Sequence, residues 1–177
     1  MQRMKRKLVF VCVVAGGLLL ANAADKPPVG EHAAHAHGLG SLELVVQADK
    51  VTARFEIPMD SLLGFEYLPR TSAQKKAVKD LQAAMGQASY FIRLPAAANC
   101  KPMSLDVKSA MWEGKKSEHS DLDADMTFTC AQPSAFRQLE IPLFKPHPRL
   151  TALKVEMVSP KGQSSVILSA KDPVLRW

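Results

Sequence analysis

From Leu42 the chain alternates apolar and polar positions. Leu42, Leu44, Val46 and Ala48 share one face, with Glu43 and Gln47 opposite. After Asp49-Lys50 the alternation resumes: Val51, Ala53, Phe55, Ile57 and Met59 face one way, Thr52, Arg54 and Glu56 the other. Successive side chains of a strand point to opposite faces, so this pattern predicts a hairpin with one buried face. Asp60 to Pro69 reads as a connection. The period then changes. Thr71-Ser72-Ala73-Gln74 has the form of a capping box, and Val78, Leu81, Met85 and Ala88 follow at helical spacing. Lys75, Lys76 and Lys79 fall on the wet side of this helix.

Beyond Pro95 the period returns to two. Leu105, Val107, Ser109 and Met111 make one strand face, and Leu122, Ala124, Met126, Phe128 and Cys130 another. Leu139-Ile141-Leu143, Leu153-Val155-Met157 and Val166-Leu168-Ala170 predict three more strands, with a turn at Ser159-Pro160-Lys161-Gly162 between the last two. Pro142 places its strand at an edge, because proline cannot donate to a ladder. Residues 171–177 supply a final short strand. About seven strands and one good helix predict a mainly β (α+β) fold, an antiparallel β-sandwich or open barrel carrying one helix.

The first residues do not join this pattern. Arg3, Lys5, Arg6 and Lys7 precede an apolar run from Leu8 to Leu20, and Ala21-Asn22-Ala23 is a small-residue site. This layout predicts a secretory signal peptide over 1–23, cleaved after Ala23. An uncleaved anchor is the alternative, although the run is shorter than the ~20 residues a spanning helix needs. Cys12 leaves with the signal. The formal charge of +6 then changes meaning. Four of the 23 basic residues belong to the signal, which leaves 19 against 17 acidic residues. A mature chain near +2 with no clustered basic footprint excludes nucleic acid as a partner. No stable membrane insertion is expected after cleavage. The expected organisation is a mobile segment over 24–40, containing Pro27-Pro28 and Gly30, followed by a single β-rich domain over 41–177.

Two cysteines remain in the mature chain, Cys100 and Cys130. An even count in an exported chain predicts a disulfide between them. The rival is a thiolate metal pair, which an oxidising compartment disfavours.

Chemistry concentrates in Glu31-His32-Ala33-Ala34-His35-Ala36-His37-Gly38, which holds three of the five histidines. Imidazole is the commonest metal ligand and suits Zn²⁺ and Cu²⁺. His32, His35 and His37 are therefore candidate ligands for a zinc ion, which takes three or four donors in a tetrahedral shell. A solvated polar tail is the other reading of the cluster. His119, among Glu118, Asp121, Asp123 and Asp125, is a candidate fourth ligand; an ordinary exposed histidine is its alternative. The Asp121, Asp123 and Asp125 series lacks the glycine and terminal glutamate of an EF-hand loop. His147, between Pro146 and Pro148, reads as a surface-turn residue and not a ligand. There is no G-x-S-x-G, H-E-x-x-H or glycine-rich phosphate loop, so an enzyme is not expected.

The ordered set of features resembles the ZrgA-like family of zinc-regulated periplasmic proteins. The resemblance runs from His32 to about Ala170. It is carried by His32-Ala33-Ala34-His35-Ala36-His37-Gly38, Leu42-Leu44-Val46, Pro58, Leu62-Leu63, Gly64-Phe65-Glu66, Ala98-Asn99-Cys100, His119, Phe128-Thr129-Cys130, Leu143-Phe144 and Gln163. It implies a periplasmic zinc-binding protein that buffers Zn²⁺ or delivers it to an envelope uptake system, a zinc ABC transporter or its binding protein. It implies His32, His35, His37 and His119 as metal positions, and adds Glu66 by the Gly-Phe-Glu match. The chain departs from the family pattern in two places. Tyr67 stands where members often carry His, and only Gly114 to Glu118 fills the place of a longer His- and acid-rich insert. Both departures remove ligands, and bear on zinc capacity more than on a single site. A copper-binding periplasmic protein and a non-metal envelope interaction module are the rival functions.

Overall fold

A computed structural model describes residues 37–115 and 119–177. Eight strands are found among them: β1 (Leu39–Gln47), β2 (Lys50–Pro58), β3 (Cys100–Lys108), β4 (Asp121–Cys130), β5 (Gln138–Glu140), β6 (Ala152–Ser159), β7 (Gly162–Leu168) and β8 (Val174–Arg176). Three helices, α1 (Met59–Leu63), α2 (Ser72–Ala84) and α3 (Ala88–Phe91), lie between β2 and β3. The mainly β class read from the alternation is what the chain adopts. The sheets are open and do not close into a barrel. Six strands form one sheet in the order β3-β4-β2-β1-β6-β7, and β5 pairs with β8 in a second. All pairings are antiparallel except β1 with β6, so the main sheet is mixed.

The alternation along β1 and β2 does what it predicts. Leu42 and Leu44, and Ala53, Phe55 and Ile57, are fully buried. Leu122, Ala124 and Met126 of β4 and Leu153 and Val155 of β6 continue the same layer. Val78, Leu81, Met85 and Phe91 from the helical side complete the core, with the Phe55 and Phe91 rings 5.6 Å apart. The capping box of α2 is formed. Thr71 accepts from the Gln74 N–H at 3.2 Å, and the Gln74 side chain accepts from the Thr71 N–H at 3.1 Å.

Several boundaries differ from the sequence expectation, each for a local reason. The first hairpin turns at Ala48-Asp49, one residue earlier than expected, because Gln47 pairs with Lys50. Ala48 takes φ 53°, the left-handed region that a two-residue hairpin loop demands. Met59, which continues the β2 alternation, instead opens α1. The strand predicted over Leu139–Leu143 stops at Glu140, and Pro142 starts a 3₁₀ turn (Pro142–Phe144), where its missing N–H is no loss. Met111 lies beyond the end of β3 but is still buried. The predicted signal peptide and most of the segment 24–40 lie outside the described residues. No helix among the described residues is long and apolar enough to cross a membrane.

Cys100 and Cys130 form the expected disulfide, which joins directly opposed residues of β3 and β4. This excludes the thiolate metal pair.

Candidate metal centre

The short helix α1 organises the candidate site. It begins where β2 runs out at Pro58, and the Met59 N–H donates to the Ser120 carbonyl at 2.9 Å. It ends at Gly64, whose φ of 81° lets its N–H return to the Asp60 carbonyl at 2.8 Å. A glycine holds this left-handed position without the strain that a Cβ would add. Leu62 and Phe65 anchor the segment in the core, so Asp60 and Glu66 are presented from a fixed backbone.

Each carboxylate holds one histidine. His37 Nδ1 lies 3.0 Å from Asp60 Oδ2, and His119 Nδ1 lies 2.7 Å from Glu66 Oε1. A carboxylate only accepts, so Nδ1 carries the proton in both rings. The neutral imidazole then has its lone pair on Nε2, the nitrogen that ligates a metal when a carboxylate orients the ring from behind. The carboxylate side chains are 17% and 14% exposed, the imidazoles 61% and 60%. The orienting groups are thus desolvated while the rings face outward.

Local sequence explains these positions. The Gly38 N–H donates to the buried Ser61 hydroxyl of α1 at 3.0 Å, and the Gly38 carbonyl accepts from the Thr151 N–H at 2.8 Å and the Ala152 N–H at 3.0 Å. Gly38 takes φ 85°, and a Cβ there would come within 2.9 Å of Thr151 Oγ1. His37 is therefore tied into the fold just before β1 begins. His119 is held through its buried neighbour Ser120, whose carbonyl caps α1 and whose hydroxyl accepts from the Met111 N–H at 3.3 Å.

The structure therefore brings His37 to Asp60 and His119 to Glu66, both beside α1. His32 and His35 lie outside the described residues. Among the described residues, no three His, Cys, Asp or Glu side chains are grouped to hold an ion. Asp60 was missed in the sequence, where its only signal is an acidic residue in the first turn of a very short helix.

His147 corrects the sequence expectation. It is not a surface-turn residue but is buried, 6% exposed. Its Nδ1 donates to the Leu62 carbonyl of α1 at 3.1 Å, and its Nε2 accepts from the Tyr90 hydroxyl at 2.8 Å. The flanking prolines lie in the turn before β6 but do not expose the ring, and both nitrogens are satisfied internally. Burial lowers its pKa, against a smaller raising effect of the Leu62 carbonyl. The unfolded chain therefore takes up this proton first as pH falls through about 6.5. Stability supplied by neutral His147 is present above that value and is lost toward the lower folded pKa, at up to about 1.4 kcal/mol per pH unit. Urea unfolding of wild type and His147→Asn between pH 7 and pH 5 should show the steeper decline in wild type. Equal slopes would exclude this role.

With the geometry in place, the comparison with known families is decisive. The profile described as ZrgA family zinc uptake protein matches residues 34–177. The chain belongs to this family. The match spans His35, His37, Glu66, Cys100, His119 and Cys130 and leaves His32 just outside. Comparison with proteins of curated function finds no match. Membership gives this ZrgA-family chain a zinc-related role in a family of uptake proteins, not of enzymes. It bears out the resemblance read from the sequence and offers nothing for copper.

Proposed function

We propose that the chain is a periplasmic zinc-binding protein that captures Zn²⁺ through His37 and His119, with His32 and His35 as further donors, and buffers it or passes it to an envelope transporter. The observation that carries this reading is the repeated arrangement of an outward imidazole backed by a mostly buried carboxylate, His37 on Asp60 and His119 on Glu66. Such outer carboxylates fix the tautomer and raise the basicity of the ligating nitrogen. Asp60 and Glu66 are assigned this orienting part, so Glu66 acts behind His119 and not as a direct ligand. Two imidazoles leave coordination positions for His32 and His35, which precede His37 in the same histidine cluster of the sequence. An exported location is supported by the basic-apolar-small layout of residues 1–23 and by the Cys100–Cys130 disulfide, which persists in oxidising compartments.

Calorimetric titration of the mature, tag-free protein with Zn²⁺ tests the proposal. Saturable binding is expected, and Zn²⁺ at 100 times its Kd should raise unfolding stability by about 2.7 kcal/mol. Absence of both saturable heat and stabilisation would overturn the zinc reading. Copper affinity does not test it, because Cu²⁺ outcompetes Zn²⁺ on nitrogen donors in vitro whatever the physiological ion.

A further inference from the structure

Arg149 belongs to neither imidazole–carboxylate pair, yet it is built against one of them. Its Nη1 lies 3.9 Å from Asp60 Oδ2, the same oxygen that His37 Nδ1 approaches at 3.0 Å. The guanidinium occupies the space that a side chain at residue 64 would fill. A Cβ on Gly64 would meet Arg149 Nε at 3.0 Å and Cζ at 3.3 Å. The arginine side chain is 63% exposed, and it is its backbone that is confined. Its carbonyl would lie 3.0 Å from a Cβ on Gly38. Two residues before it, His147 is bonded to the Leu62 carbonyl of α1; two residues after it, Thr151 is bonded to the Gly38 carbonyl through both its N–H and its hydroxyl. The turn that carries Arg149 therefore cannot shift without moving α1 or the residue next to His37.

We infer that Arg149 is a fixed counter-cation of the His37–Asp60 unit, which weakens Zn²⁺ capture there and so eases its release. This rests on the zinc reading of that unit. The charge of arginine is permanent, because the guanidinium does not deprotonate in proteins. Asp60 lends the imidazole negative charge that favours a bound cation, and Arg149 offsets that charge. When Zn²⁺ arrives, the same guanidinium becomes a like charge facing a dication. An ion on Nε2 lies on the far side of the ring from Asp60, so the repulsion acts over a longer distance than the Arg149–Asp60 separation, and water and salt reduce it most at high ionic strength. A protein that passes its ion on needs affinity that is finite, and a resident cation supplies the limit without removing a ligand.

The test measures Zn²⁺ binding by the full mature chain, in competition with a chromophoric chelator at one neutral pH, in about 20 mM and about 500 mM NaCl. Arg149→Gln should lower Kd by roughly three- to tenfold at low salt. The gap should shrink toward unity at high salt, where the Debye length falls to about 4 Å. Arg149→Lys keeps the charge and should stay within about twofold of wild type, by the same Coulomb argument. A purely structural clamp predicts the opposite: weaker binding in Arg149→Gln, with no dependence on salt. Equal or weaker binding by Arg149→Gln at low salt, while His37→Ala clearly weakens binding, overturns the counter-cation alone. No binding by wild type, or an unchanged Kd in His37→Ala, overturns the zinc reading of the unit and the inference with it.

Discussion

Replacing His37 and His119 together by alanine is expected to lower Zn²⁺ affinity by about 100-fold or more. In the proposed site the two rings supply the lone pairs, and Asp60 and Glu66 orient them. Asp60→Asn and Glu66→Gln leave both imidazoles in place and should each cost about 10- to 100-fold, the usual range for a group that orients a metal-bound histidine. This ordering separates the proposed roles. If Glu66 bound the ion directly and His119 only touched it, Glu66→Gln would be the more damaging change. The apo protein should lose no more than about 1–2 kcal/mol of stability in the double alanine variant, because both rings are largely exposed. Calorimetry and chemical denaturation on the same samples read both quantities. A double variant that binds within twofold of wild type would remove these residues from the site.

The single variants carry further information. When two histidines share one ion, the free-energy costs of removing them do not add. When they serve separate ions, each substitution removes one site and lowers the stoichiometry. Both pairs lie beside α1, the first because the Gly38 N–H reaches Ser61, the second because the Ser120 carbonyl receives the Met59 N–H. A shared ion completed by His32 or His35 therefore predicts strong non-additivity.

Much of this was legible in the chain because the relevant physics is local. The alternation through β1, β2 and β4 required only a period of two. The capping box at Thr71 and Gln74 announced α2 within four residues. What failed to show was set by contacts distant in sequence. The parallel pairing of β1 with β6 joins residues more than 100 positions apart, and nothing in either strand names its neighbour. Met59 continues a strand pattern and could not reveal that α1 begins there. The Lys145-Pro146-His147-Pro148 stretch looks like surface, and only the approach of Leu62 and Tyr90 explains why the ring is inside. Likewise Asp60 finds His37 and Arg149 across 23 and 89 residues, so its part in the site had no local signature. His119 was a candidate from its acidic neighbours in the sequence and Glu66 from the resemblance, and the structure adds that they bond to each other.

Removing the disulfide with Cys100→Ser and Cys130→Ser should destabilise the protein by roughly 3–4 kcal/mol, the loop-entropy estimate for a closed loop of about 30 residues. The size of the effect follows from where the bond sits. β3 is an edge strand of the main sheet and pairs only with β4. Most of its residues are exposed, and its ladder slips between Pro102 and Ser104, leaving Met103 67% exposed. Proline, a bulge and lysines protect such an edge from pairing with another chain, but each also weakens its attachment. Phe91 packs on Phe55 of the central strand β2, with ring centroids 5.6 Å apart, whereas no residue of β3 is fully buried. Without the cross-link β3 is therefore held by one ladder, and it should open before the rest of the sheet. Guanidinium denaturation reads the global loss. Hydrogen exchange should show the β3 amides losing protection first, with β1 and β2 still closed. A double serine variant within about 1 kcal/mol of wild type would mean that packing alone secures this edge. The candidate metal centre lies outside β3, so Zn²⁺ binding by the variant should survive wherever the protein remains folded. That outcome would separate a structural bond from a part in the metal chemistry.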